Sequence, residues 1–308
     1  MERIQIILFY KFQEIKNLEY FARKQRRFCD QLEVLGKILI AKEGINGSIS
    51  GSKEQIEKYK NFLLSISGFN DIRFKEESAL EHPFTKMHVR IRKEIVTLKK
   101  SLNLENKGKY ITPKEFFDLH ETREDFIILD ARNDYEYKLG RFKNAINSNI
   151  KTFREFPKFV NTFKKNKENK KKKIIMYCTG GIRCEKASAY MIEDGFTNIY
   201  QLEGGIINFC QQFPNTLWDG KCFVFDKRLM TDINQSNKPI THCEYCNLLS
   251  DLYRNCKNLE CDKLFIMCVK CQEKFHGCCS EKCLREFEEY ARERAMRKKI
   301  IKNSQSTN

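Results

Sequence analysis

The stretch Ile174-Ile175-Met176-Tyr177-Cys178-Thr179-Gly180-Gly181-Ile182-Arg183 decides the fold of this 308-residue chain. Its unbroken apolar run reads as a strand buried on both faces, and such strands belong to parallel sheets covered by helices. A Gly-Gly turn and a helical stretch, Arg183–Asp194, follow at once. Cys178 therefore sits at the carboxyl end of a parallel strand, where open α/β sheets build their sites. The glycines let several backbone N–H groups converge on one point. The helix adds the positive end of its dipole, and Arg183 adds a full charge. All three favour a thiolate, or a terminal sulfur anion, at Cys178. Only four residues separate Cys178 from Arg183. The cup is thus tighter than the phosphoryl-sized loop of Cys-dependent phosphatases and suits a single sulfur atom.

Working outward, apolar runs Phe126–Leu129 and Asn198–Leu202 alternate with helical stretches Pro113–His120 and Phe153–Phe163. Thr112-Pro113 is a helix-start signal. This α/β pattern spans residues 110–215, with Lys164–Lys173 as a charged, solvated loop. Residues 1–100 read as a small α+β unit: strand Ile4–Tyr10, helix Leu18–Leu35, strand Lys37–Ala41, tight segment Glu43–Gly47 and a third strand from Ser48 to Ser50. Helix Lys53–Ser65 follows, capped by Ser52, and Ile72–Lys75 and Met87–Ile91 complete the sheet. The order predicts a ferredoxin-like sandwich. Residues 216–308 turn cysteine-rich, and a basic mixed-charge helix, Leu284–Ile301, leads into a polar tail, Asn303–Asn308, expected to be disordered.

Lys and Arg number 57 against 41 Asp and Glu, for a net charge of +16. That excess suits a polyanionic partner, nucleic acid first. The start of the chain carries only the short apolar run Ile6–Tyr10, too short for a signal peptide core or a bilayer span. A cytoplasmic protein without a membrane partner is expected. Fourteen cysteines in such a chain point to metal ligation or thiol chemistry rather than disulfides. Nine lie between Cys243 and Cys283 and form four close pairs: Cys243/Cys246, Cys256/Cys261, Cys268/Cys271 and Cys279/Cys283. Thiolate pairs at this spacing can hold two structural Zn2+ ions, and a metal would supply folding energy to a segment with few apolar runs. The spacing does not match ferredoxin iron–sulfur runs. Which pairs share an ion stays open, Cys278 is the spare thiol unless it swaps with Cys279, and His242 and His276 are candidate substitutes that read more readily as ordinary polar residues. Near the thiol loop, Cys184 is expected to pack inside the helix.

For nucleic acid, Arg23, Lys24, Arg26 and Arg27 share one helix, Lys42 and Asn46 lie beside the glycine turn, and Arg90, Arg92 and Lys93 follow the last strand. Arg23, Arg27, Lys42 and Asn46 are the candidate RNA contacts.

Leu129-Asp130-Ala131-Arg132, with Tyr135-Glu136-Tyr137 and Gly140-Arg141-Phe142, resembles the opening signature of a rhodanese domain. Leu202-Glu203-Gly204-Gly205-Ile206 resembles its closing signature. Asp130 and Arg132 would be structural, loop-orienting groups. The run Tyr177–Ala189 is similar to one rhodanese subfamily, the bacterial tRNA uridine hydroxylases. Ala41–Gly47, Gly220-Lys221, Phe223–Asp226 and Cys278-Cys279-Ser280-Glu281 are similar to it too. The resemblance implies O2-dependent hydroxylation at C5 of the wobble uridine, position 34, giving 5-hydroxyuridine. It also implies tRNA as substrate through the anticodon stem-loop and Cys178 as the reactive cysteine with a persulfide intermediate. The electron donor is not readable. Catalytic residues are then Cys178 and Arg183 in a loop completed by Thr179, Gly180, Gly181 and Ile182, with a pyrimidine-wide pocket expected before the sulfur. The alternative is a rhodanese-type sulfurtransferase acting on a small acceptor or carrier protein.

Overall fold

The computed structural model describes residues 3–122, 124–231, 233 and 238–305. The chain divides into two compact units, Met1–Ser236 and Asn237–Asn308.

The first unit opens with β1 (Ile4–Phe12), α1 (Leu18–Gln31), β2 (Leu35–Ala41), β3 (Gly44–Gly51), α2 (Lys53–Leu64), β4 (Phe74–Ala79) and β5 (Met87–Ile91). The sheet order is β4-β1-β3-β2-β5, with β5 parallel to β2 and the other neighbours antiparallel. This is the expected ferredoxin-like arrangement with one added edge strand. Alternation sets its core: Ile7 and Phe9 of β1 and Ile45 and Ile49 of β3 are buried with Phe21 and Cys29 of α1 and Ile56, Tyr59 and Leu63 of α2. Ser52 caps α2 in a reciprocal capping box with Gln55.

Two expectations need correction here. Helix α1 stops at Gln31, and Leu35 already belongs to β2. The tight turn is only Lys42-Glu43, because Ala41 pairs with Gly44, so Gly44–Gly47 is strand. Gly47 is there for packing: it faces Phe9 across the sheet, and a Cβ would meet the Phe9 ring at 2.3 Å.

Next come β6 (Lys109–Ile111), α3 (Pro113–Glu121), β7 (Phe126–Asp130), α4 (Asp134–Leu139), β8 (Gly140–Phe142) and β9 (Ile146–Asn147). Helix α5 (Phe156–Phe163), β10 (Lys173–Tyr177), α6 (Ile182–Glu193), β11 (Ile199–Leu202) and α7 (Gly205–Gln212) follow. Strands β6-β11-β10-β7-β9 form one sheet, parallel throughout. Strand β10 runs through its middle, as its apolar run requires. Ile174, Met176 and Cys178 pack with Val160, Cys184 and Ala187 on one face. Ile175 and Tyr177 pack with Phe116, Phe142 and Phe209 on the other. The charged segment after α5 is pinned by Lys164 to Asp194 at 2.7 Å and Lys172 to Asp125 at 3.1 Å. Short strands β12 (Trp218–Gly220), β13 (Cys222–Phe223) and β14 (Met230–Thr231) end the described part of this unit.

The second unit holds the hairpin β15 (Tyr253–Asn255) and β16 (Leu264–Ile266), then α8 (Val269–Phe275) and α9 (Glu281–Gln305). Helix α9 runs past Ile301 to Gln305, so the expected disorder does not hold for residues 303–305. Its Lys, Arg and Glu residues are good helix formers, with i,i+4 pairs such as Lys282–Glu286. Residues 306–308 lie outside the described residues. Among the described residues, no helix is long and apolar enough to cross a membrane.

Candidate active site and cysteine clusters

Cys178 ends β10, and the chain then curls through Gly180 and Gly181 into α6. The Gly181 N–H, on a residue with φ +102°, donates to Cys178 Sγ at 3.1 Å. Gly205 at the start of α7 abuts the same loop. A Cβ there would lie 2.3 Å from the Cys178 carbonyl oxygen, which accepts the Ile206 N–H at 3.0 Å. The closing signature is therefore a backbone clamp on the thiol loop.

Arg183 does not point into solvent. Its guanidinium donates to both carboxylate oxygens of Glu136 at 2.5 and 2.8 Å and to Thr179 Oγ1 at 3.2 Å. Glu136 is fully buried and held ionised: burial opposes the charge, but the Arg183 cation and its hydrogen bonds outweigh it. Asp130 and Arg132, both fully buried, form their own pair, Arg132 Nη2 to Asp130 Oδ2 at 2.6 Å. The same Nη2 donates to the Gly140 carbonyl at 2.6 Å, tying β7 to β8. They brace the strand beside Tyr177 rather than the sulfur itself.

Burial alone would push the Cys178 thiol up. A hydrogen bond from Cys184, the Arg183 charge and the N–H groups of Cys184 and Arg183 overcome that and bring it down to about 6. Cys184 itself is pushed the other way by burial and by its neighbour, so it stays a thiol and donates. It packs in the core as expected.

One expectation is overturned. Cys178 is 0% exposed, so no pyrimidine-wide pocket opens onto its sulfur in this structure. Strand alternation puts it on the inward face with Ile174 and Met176, and the loop above it is covered from the N-terminal sheet. Tyr10 of β1 stands over Gly181 and Lys75 of β4 over Gly180. Tyr10 donates to Glu185 at 3.0 Å, and Tyr110 and Lys107 reach the same carboxylate at 2.7 and 2.6 Å. Lys186, the next residue of α6, bonds Glu43 at 2.8 Å and Glu94 at 2.7 Å. Sequence reasoning missed Glu136, Lys75, Tyr10 and Phe225. Phe225 is 64% exposed, and its ring centre lies 5.8 Å from the Arg183 guanidinium carbon. Glu136 and Phe225 lie within quoted motifs, whereas no local pattern marks Lys75.

The RNA candidates separate. Arg23 joins Arg26, Arg90 and Arg92 around a recess of about 340 Å³ between α1 and β5. Arg27 lines the adjoining surface with Lys24. Burial and then the like charges of Arg90 and Arg92 hold Lys37 below its ordinary value, a sign of uncompensated positive charge. Lys42 instead faces Glu14 at 3.6 Å, and Asn46 donates to the Ile95 carbonyl at 3.1 Å.

In the second unit the four cysteine pairs interleave. Cys243, Cys246, Cys268 and Cys271 form one cluster and Cys256, Cys261, Cys279 and Cys283 the other, each with all Sγ atoms within 4.8 Å of one another. Sulfur separations of 3.6 Å for Cys246–Cys268 and 3.5 and 3.7 Å for Cys279 with Cys261 and Cys283 suit a shared ion. Four thiolates about 2.3 Å from one metal stand roughly 3.8 Å apart at tetrahedral corners. Each cluster can hold one metal ion. Cys278 lies outside both, as do His242 and His276.

A parallel sheet whose central strand ends in a cysteine-headed, arginine-closed loop makes this a rhodanese-domain protein, and a rhodanese-like domain model matches residues 112–212. Two further models flank it: an acylphosphatase-like domain of the UPF0176 type over residues 4–95 and a rhodanese C-terminal domain over residues 219–284. The chain is 43% identical over 286 residues to the tRNA uridine(34) hydroxylase of Bacillus cytotoxicus, covering 91% of this chain and 87% of that one. It is 42% identical to the proteins of the same name from Bacillus licheniformis and Acholeplasma laidlawii, over 91% of this chain and 88% and 89% of theirs. The chain belongs to the tRNA uridine(34) hydroxylase family.

Proposed function

We propose that this protein hydroxylates C5 of the wobble uridine of tRNA, giving 5-hydroxyuridine, with O2 as the oxygen source and Cys178 as the reactive sulfur. The observation that carries the reading is the sulfur cup itself, in which the Gly181 N–H donates to Cys178 Sγ at 3.1 Å, in a chain of this family along nearly all its length. Thr179, Gly180, Gly181 and Ile182 shape the cup, Arg183 and Glu136 hold its wall, and Asp130 and Arg132 brace the sheet beneath.

The anticodon stem-loop lies along the Arg23, Arg26, Arg90 and Arg92 surface, whose clustered positive charge suits phosphates. Phe225, exposed beside Arg183, offers a plane on which an unstacked base can rest. Because Cys178 is covered, a uracil reaches it only when the cover of Tyr10 and Lys75 shifts. The two cysteine clusters each hold a Zn2+ ion, which fixes the fold of the second unit and takes no part in the chemistry. The protein works in the cytoplasm, where tRNA is found.

Nucleoside mass spectrometry of tRNA from a deletion strain tests this. Plasmid-borne wild type restores 5-hydroxyuridine derivatives and Cys178→Ser does not. Restoration by Cys178→Ser refutes the role of the thiol. Loss of thiolated nucleosides in place of hydroxylated ones makes the protein a sulfurtransferase instead.

A further inference from the structure

Arg183 is commonly the residue credited with neutralising an anion in such a loop, yet here its charge is committed. Both its terminal nitrogens bond Glu136, so the carboxylate offsets part of the charge that Arg183 brings to the sulfur. A thiolate or persulfide at Cys178 then rests on backbone N–H groups, the Cys184 thiol and an arginine whose charge is shared with Glu136. One cation nearby has no such commitment. Arg73, just before β4, pairs with Glu203, and on β4 Glu76 pairs with Lys60 and Glu77 with Arg228. Lys75 alone among these charged neighbours has no carboxylate within ion-pair distance among the described residues. It is half-buried, its Nζ lies 5.1 Å from the centre of the Tyr10 ring, and its Cδ, Cε and Nζ stand 3.7 to 4.0 Å from the Cβ position of Gly180. An ammonium desolvated this far without a partner is costly unless an anion lies beside it.

We propose that Lys75 is the counter-ion that the N-terminal domain supplies to the Cys178 cup, positioning the sulfur there in its anionic form. The proposal rests on the reading of Cys178 as the reactive sulfur. It makes the thiol site composite: the sulfur and its N–H cradle come from the rhodanese domain, and the balancing charge from the ferredoxin-like domain. Lys186 with Glu43 and Glu94, and Glu185 with Tyr10, hold the two parts in register. It also gives the acylphosphatase-like domain a duty at the sulfur distinct from the basic recess on α1 and β5. The charged and titratable groups around the pair are Arg73 just before β4, Tyr10 on β1, Arg183, Cys184 and Glu185 on α6 and Glu136 on α4. Of these, Arg73, Arg183, Glu136 and Glu185 are already matched by opposite charges.

The test is the ultraviolet thiolate titration of the full-length protein, taken as the difference between each protein and its Cys178→Ser counterpart. In Lys75→Met, which keeps the aliphatic stem, the Cys178 midpoint rises by about one pH unit, the effect of removing one adjacent opposite charge. Lys75→Arg returns it toward wild type. Lys75→Gln is read in the same way if Lys75→Met does not fold. A midpoint in Lys75→Met or Lys75→Gln that coincides with wild type overturns the proposal. Hydroxylation by Cys178→Ser would refute the role of the thiol while the midpoints still decide on Lys75.

Discussion

Lys186 of α6 and Glu43 of the β2–β3 turn stand 2.8 Å apart, joining the helix that begins at the thiol loop to the N-terminal sheet. Lys186 also bonds Glu94, and its side chain is almost fully buried. Glu43 in turn accepts the Ile95 N–H at 2.7 Å. Lys186→Met leaves two partly buried carboxylates without their cation. Chemical denaturation should show the first unit losing about 2 kcal/mol, less than for a fully buried pair because both carboxylates keep some solvent. An unchanged denaturation midpoint would mean that the triad contributes nothing.

Cys178 and Lys75 set the pH response. The Cys178 thiol lies near 6 in the fold against an ordinary 9.0. Between those values the unfolded state binds the extra proton, so folding stability rises with pH there and the contribution is gone below about 6. Lys75, brought by burial from 10.5 to about 8, acts in the same direction at higher pH, because the fold favours its neutral form. Comparing denaturation midpoints across pH, Cys178→Ser should flatten the lower part of the rise. Thiolate and ammonium coexist between about 6 and about 8. Hydroxylation should climb through the first value and decline through the second, and Lys75→Met should abolish the decline.

Much of this is legible in the amino-acid sequence. The run Ile174–Tyr177 announced a central parallel strand because burial on both faces leaves no polar alternation, and β10 is that strand. The same period of two, extended by one residue, places Cys178 inward, which explains why the sulfur is covered. Cysteine spacing revealed the four ligand pairs, since a pair needs only local chain. Their interleaving depends on how β15, β16 and α8 fold back, which no spacing encodes. Lys75 is an unremarkable strand lysine until the β4 edge is laid over Gly180. Asn46 reads in the sequence as a nucleic-acid contact because it lies beside the glycine turn with Lys42. Its amide is instead spent on the backbone of Ile95.

Interleaved clusters predict how metal is lost. Cys243→Ser and Cys268→Ser strike the same site, so each protein should lose one ion and the double variant no more than one. Cys243→Ser with Cys256→Ser should lose both. Elemental analysis of the purified full-length proteins reads the stoichiometry and shows whether the metal is zinc. Chelation should unfold the Asn237–Asn308 unit, whose core is largely the cysteines themselves with Phe265 and Met267, and leave the first unit folded. Independent loss from Cys243→Ser and Cys268→Ser would contradict the interleaving.

Glu136 bears on the stability of the loop wall. It is fully buried and takes both terminal nitrogens of Arg183, so Glu136→Ala strands a buried guanidinium. The expected cost is about 3–5 kcal/mol. Glu136→Gln, which keeps one acceptor and the shape, should lose less. Urea titration separates them, and equal losses would show that shape rather than charge holds the loop wall.

RNA binding should separate Arg23 from Lys42 and Asn46. Arg23 lines the basic recess with Arg90, so Arg23→Ala and Arg90→Ala should each weaken tRNA binding and lower the slope of log affinity against log salt by about 1, as for loss of one phosphate contact. Lys42 already faces Glu14, so its removal should change the slope little. Asn46→Ala should leave the slope alone and destabilise the protein by about 1 kcal/mol, the usual cost of one part-buried hydrogen bond. Phe225→Ala should weaken binding without altering the slope, because stacking releases no counterions, and Phe225→Trp should restore it. A drop in slope for Asn46→Ala equal to that for Arg23→Ala would place the RNA across the β2–β3 hairpin instead of along α1.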